Sequence, residues 1–256
     1  MAIEISRVLE KLDSYLNRDR YGDAKRHLEY WLAEANALGD SRSAFAILNE
    51  LVGLCRKCEM KEEGLAFCDR LLQVTKELAL TDQVSGAMAY LNTATAYKSF
   101  GMTEDALSLY EKAKTVYEEN AVEDTRMAGL CNNMALALTD AGRYAEAEGL
   151  YERALTILKG FAGTEPEIAV THLNLADLIL EECGMEKGEE RILSLVEKAK
   201  DCLNAAYTGG KRDGNLAFVM TKCIPSFSYY GYFLYAKELK ERVEEIKSVC
   251  YPSDFK

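Results

Sequence analysis

Cys55-Arg-Lys-Cys58, with Cys68 ten residues further on, is a spacing that could do chemistry. A CxxC pair can ligate a metal through thiolates or cycle through a disulfide, but structural zinc needs four ligands. No second CxxC or nearby His completes that set. Reduced thiols serving as small apolar core residues fit better. His27 and His172 are the two histidines, and neither stands in an HExxH, triad or Cys/His pattern. Both read as packing or surface residues. Thr208-Gly209-Gly210-Lys211-Arg212 looks superficially like a phosphate loop, but the glycine required five residues before a Gly-Lys-Ser/Thr is missing. It reads as a flexible connector. The acids are scattered along helix faces. No catalytic residue, cofactor or metal is assigned, and the chain is not expected to be an enzyme.

Asn92, Asn133 and Asn174 carry a different promise, because they lie 41 residues apart. An Asn amide offers an acceptor and two donors, and so can bridge the backbone of an extended peptide. Their positioning comes from an internal repeat, which is best sought first. Gly101-Met102-Thr103-Glu104-Asp105-Ala106-Leu107 lies over Gly142-Arg143-Tyr144-Ala145-Glu146-Ala147-Glu148, and Tyr110-Glu111-Lys112-Ala113 over Tyr151-Glu152-Arg153-Ala154. Gly64 and Cys68 stand 42 residues before Ala106 and Tyr110, and Ala24 stands 40 before Gly64. The apolar period within a unit is helical. It predicts first helices over 87–100 and 128–141, a turn at Gly101 or Gly142, and second helices from about Thr103 or Tyr144. Thr103 is the expected N-cap, with acids behind it. Polar connectors at 118–124 and 163–167 join units, with Pro166 suited to a first helical turn.

These residues resemble the tetratricopeptide repeat family. Tyr90 stands at the fourth unit position, and small residues stand at the eighth (Ala94, Ala135, Ala176). Bulky ones follow at the eleventh (Tyr97, Leu138, Ile179), and small ones return at the twentieth (Ala24, Gly64, Ala106, Ala147). Small side chains let paired helices approach, and large ones fill the space between pairs. The usual unit is about 34 residues; a spacing of 41–42 is similar to kinesin-light-chain-type repeats, as is the stretch from Glu165 to Ala176. The pattern is closest over 87–180 and looser over 45–80. The repeat after Asn174 reads as holding about four extra residues before Val196-Glu197-Lys198-Ala199, leaving its second helix to start anywhere from Met185 to Glu190. The resemblance implies an all-α, right-handed solenoid of roughly six antiparallel helix pairs in one domain, 1–256. Residues 1–40 form an N-terminal capping pair, 41–205 the repeats, and 215–256 a C-terminal capping pair. Pro225 should kink or split the penultimate helix.

A net charge of −11 and the lack of any polybasic run argue against nucleic-acid and anionic-membrane partners. The charged N-terminus and the absence of an 18-residue apolar stretch point to a soluble, cytoplasmic protein.

The resemblance implies that unit positions 2, 5, 6, 9, 12 and 13 face a concave groove. These are Asn49, Glu50, Arg56 and Lys57 in one unit, then Met88, Asn92, Thr95 and Lys98 in the next. Asn132, Asn133, Leu136 and Asp140 follow, and then Leu173, Asn174, Asp177 and Glu181. Cations fall early and acids late, which predicts a ligand of matching polarity. Three Asn contacts would supply at most about 4.5 kcal/mol, near millimolar affinity, so pockets must add the rest. The family's chaperone-tail version clamps a carboxylate with Lys and Arg around the Asn; no cation stands there, which argues against such tails. The expected function is a scaffold holding an extended protein or peptide segment on the concave face. The alternatives are a cytoplasmic sensor for a signalling peptide and a homo-oligomerising adaptor. A homodimer would use the cluster Phe227, Tyr229, Tyr230, Tyr232, Phe233 and Tyr235.

Overall fold

In a computed structural model residues 3–250 are described, and among them there are twelve helices and no strand. They run α1 Ile5–Leu16, α2 Tyr21–Leu38, α3 Ser41–Lys57, α4 Lys61–Glu77, α5 Val84–Ser99 and α6 Thr103–Glu119. After these come α7 Thr125–Asp140, α8 Tyr144–Leu158, α9 Glu165–Cys183, α10 Met185–Gly209, α11 Gly214–Tyr229 and α12 Phe233–Cys250. Each odd helix packs on the even helix after it, giving six pairs. The pairs fall into two compact units, α1–α6 ending at Val122 and α7–α12 beginning at Glu123.

Turn chemistry explains the pairing. Gly101 and Gly142 sit at φ +80° and +71°, in the left-handed region that ends a helix. The following amide then reaches back: Met102 N–H donates to Tyr97 O at 2.9 Å, and Arg143 N–H to Leu138 O at 2.8 Å. Met102 and Arg143 thereby become the N-caps of α6 and α8. Thr103, expected as the cap, is instead the first helical residue, because the turn at Gly101 places Met102 in the cap position. The acids Glu104 and Asp105 do occupy the first turn of α6. Three first helices, α3, α7 and α11, have side-chain caps: Asp40 accepts from Ser43 N–H, Asp124 from Arg126 N–H, and Asp213 from Asn215 and Leu216 N–H. Open space surrounds the Cβ position at Gly101 and at Gly142, so alanine there meets only backbone strain. Gly101→Ala or Gly142→Ala should each cost about 1–2 kcal/mol, seen as a lower midpoint in urea with an unchanged slope.

The small residues do what close approach requires. Ala24, Ala94, Ala106, Ala135, Ala147 and Ala176 are all fully buried. A Cβ on Gly64 would lie 2.7 Å from the Phe100 ring and 3.1 Å from Cys55 Cβ, so Phe100 occupies space that an alanine would need. Tyr110 and Tyr151 are fully buried, and the Tyr110 hydroxyl donates to Thr95 Oγ1 at 3.1 Å.

Two further expectations are overturned. The unit after Asn174 has no insertion: α10 starts at Met185, 41 residues after Tyr144, and Gly188 stands 41 after Ala147. A Cβ on Gly188 would lie 2.8 Å from Ile179 Cγ2, so this glycine is the missing small residue. Gly184, at φ +77°, serves alone as both the end of α9 and the cap of α10. The extra length lies at the other end of α10, which continues to Gly209. The stretch expected to be a flexible connector is therefore helical through Gly209. Beyond it, Arg212 is anchored by Tyr207 O at 3.0 Å, the Tyr207 ring and Glu245. Pro225 lies within α11, which runs unsplit from Gly214 to Tyr229. No helix among the described residues is long and apolar enough to cross a membrane.

Candidate functional site

In the α1–α6 unit, α3 packs on α5 and the inner positions bond to one another. Asn92 Nδ2 donates to Asn49 Oδ1 at 2.8 Å, and Asn49 Nδ2 donates to Phe45 O at 2.9 Å. The Asn92 amide is thus partly committed to joining neighbouring repeats. Thr95 donates to Leu91 O at 2.8 Å while accepting from Tyr110. Arg56 is exposed, Lys57 lies over the Tyr21 ring at 4.7 Å, and Lys98 is half-buried. Glu50 reaches solvent from a crowded position, and poor hydration followed by the charge of Asp13 raises its carboxyl pKa.

In the α7–α12 unit, α7 and α9 pack together. Asn132 Nδ2 donates to Ala128 O at 3.2 Å and to Thr171 Oγ1 at 3.0 Å, while its buried Oδ1 accepts nothing. A buried acceptor without a donor costs about 1–3 kcal/mol. Asn133 and Asn174 are half-buried and have no hydrogen bond to any described residue. Asp177 is half-buried and accepts from the Tyr230 hydroxyl at 2.5 Å. Burial raises its pKa, against the lowering effect of that bond. Asp140 and Glu181 are exposed.

The aromatic cluster near the C-terminus divides. Phe227, Tyr230 and Tyr235 are buried, Tyr232 is half-buried, and Tyr229 and Phe233 are about 70% exposed. The ring of Phe227 meets that of Tyr235 edge-on at 4.8 Å. Burial pushes the Cys55 thiol up to about 11 and Cys68 to about 12, so both are neutral thiols at pH 7. His27 Nε2 lies 3.0 Å from Val8 O, with its ring edge-on to Tyr15. His172 is buried on α9.

Residues 127–159, which span α7 and α8, match the family model described as Tetratricopeptide repeat. No curated protein sequence matches this chain. Among solved structures, a Podosopora anserina protein described as a kinesin light chain with nearly identical TPR-like repeats aligns at 18% identity and TM-score 0.55. That alignment covers 81% of this chain and 96% of the other. BtubC (BKLC) from P. vanneervenii aligns at 19% identity and TM-score 0.59, covering 97% and 92%. A Rap protein complexed with Competence and Sporulation Factor aligns at 14% identity and TM-score 0.60, covering 97% of this chain and 66% of that one. Residues 127–159 thus match a tetratricopeptide repeat, and the six helix pairs share the all-helical repeat fold of these kinesin-light-chain-like structures.

Proposed function

We propose that the chain is a non-catalytic holder of an extended protein or peptide segment, gripped by the first helices of the α7–α12 unit. The observation that carries this reading is the set of unpaired amides there: Asn133 and Asn174, together with the buried acceptor Oδ1 of Asn132. Half-buried amides without protein partners can exchange hydrogen bonds with a passing backbone at little extra desolvation cost. Asn92 belongs to a different class, since it also holds two repeats together. Its neighbours Asn49, Thr95, Arg56, Lys57 and Lys98 would contribute to any contact made by the α1–α6 unit. Asp140, Asp177 and Glu181 place carboxylates on the α7–α12 unit, which suits a basic segment. The likeness to a Rap protein complexed with a factor supports a sensor form of this reading, in which the held segment is a signal.

The test separates the two classes of Asn. Panning a displayed library of extended peptides should enrich binders, and Asn133→Ala/Asn174→Ala should weaken them roughly ten- to hundred-fold, the loss of one or two bonds per amide. That variant should unfold at the wild-type urea midpoint. Asn92→Ala should instead lower stability by about 1 kcal/mol through loss of the bond to Asn49. A double variant that binds the enriched peptides as tightly as wild type sinks the proposal.

A further inference from the structure

A cleft of about 560 Å³ lies between α8 and α10, with α9 at its base, on residues the peptide reading does not use. Its lining holds four cations, Lys159, Lys187, Arg191 and Lys198, against two carboxylates, Glu152 and Glu190. In a chain of net charge −11 this local excess is a departure from the whole. Arg191 is ion-paired with Glu148. The three lysine ammonium groups make no ion pair or hydrogen bond with any described residue. At the base lies His172, 7% exposed, whose Nδ1 is buried without a partner. Like charges gathered around an imidazole that lacks a partner cost stability unless something neutralises them.

The geometry points to this cleft as a binding site for a small ligand bearing two or more phosphate groups on a hydroxylated, non-aromatic skeleton. Phosphate follows from the charge: three free ammonium groups are point donors that suit phosphate oxygens, and a neutral imidazole adds one N–H. The skeleton follows from the rest of the lining. No Phe, Tyr or Trp stands in the lining to stack a nucleobase and the His172 ring is buried at the base, whereas Ser194, Glu152 and Glu190 can bond hydroxyl groups. The volume lies within the range of small-molecule sites, about 300–1,000 Å³. His172 also senses its neighbours, since burial and then the charges of Lys198 and Lys159 lower its pKa to about 4. An anion bound among the lysines would screen them and move the imidazole resonances.

Fructose 1,6-bisphosphate is a suitable probe, titrated into the full chain by calorimetry at low salt, with inorganic pyrophosphate and ATP as comparators. The expected result is sub-millimolar binding of the bisphosphate, at least five-fold tighter than either comparator. His172 ring signals should shift in step with saturation. Lys187→Gln/Lys198→Gln should weaken binding at least ten-fold while leaving the circular dichroism spectrum unchanged, because both lysines are exposed. Lys159→Gln provides a second, independent removal of charge. Absence of heat at 10 mM probe overturns the site, as does binding that survives both lysine variants. Pyrophosphate or ATP binding as tightly as the bisphosphate overturns the assigned skeleton.

Discussion

Phe227→Ala is expected to cost about 3–5 kcal/mol and to melt the last helix pair ahead of the rest of the chain. A buried Phe truncated to Ala loses its transfer energy and leaves a cavity that rigid helices fill poorly. Phe227 is fully buried, with Tyr235 against its ring at 4.8 Å and Tyr232 at 6.1 Å, so it is one of the side chains that tie α11 to α12. In a repeat array stability is close to a sum of unit and nearest-neighbour terms, and a terminal pair has a neighbour on one side only. The loss should therefore stay local. Trp31 is the one tryptophan, and it packs in the core of the α1–α6 unit. In urea, circular dichroism should show an early partial loss of helix while Trp31 fluorescence keeps its wild-type midpoint. Tyr229→Ala, about 70% exposed, should change stability by no more than about 0.5 kcal/mol. A single coincident transition at the wild-type midpoint would contradict this account of the terminal pair.

The helix pairs were legible in the sequence because they rest on chain-local physics. Positive-φ glycines, buried alanines and tyrosines repeat at a fixed interval, and each can be recognised without knowing what it touches. The errors arose where one local signal stood in for a register. Val196-Glu197-Lys198-Ala199 looks like Tyr151-Glu152-Arg153-Ala154, yet Gly188 shows that the register runs on at 41. Helical spacing could have divided the aromatic cluster: Phe227 and Tyr230 are three apart and turn inward, while Tyr229 turns out. The site was legible only as a row of positions. Whether an Asn amide is spent on a neighbouring repeat, as at Asn92, or left open, as at Asn133 and Asn174, depends on side-chain contacts between helices about 40 residues apart. The basic cleft was illegible for the same reason. Lys159 follows the end of α8, His172 is on α9 and Lys198 on α10, and no spacing marks them as neighbours.

His172 should also make stability fall on mild acidification, by close to 1.4 kcal/mol per pH unit below about pH 6.5. Its folded pKa is depressed to about 4, first by burial and then by Lys198 and Lys159, against an unfolded value of about 6.5. Between those values the unfolded chain binds a proton that the folded chain refuses, so folding is favoured at the upper end of the window and penalised as pH falls through it. The full loss is at most roughly 3 kcal/mol, reached near pH 4. Carboxylates held low by partners, such as Asp40 bonded to Ser43, Asp124 to Arg126 and Asp213 to Leu216 N–H, lose their contributions below this window. Glu50 and Asp177 have raised values and act with the opposite sign, favouring the folded state as pH falls. The cleft's own charges, Lys187, Arg191, Glu152 and Glu190, face the same imidazole. Comparison with His172→Gln isolates the ring, since glutamine keeps a polar group of similar reach and cannot take up the proton. Urea midpoints at pH 7, 6, 5 and 4.5 should diverge, with wild type losing about 2 kcal/mol more than His172→Gln across the series. Parallel curves for the two proteins would mean that the imidazole does not resist protonation, and that the lysines around it exert no field on it.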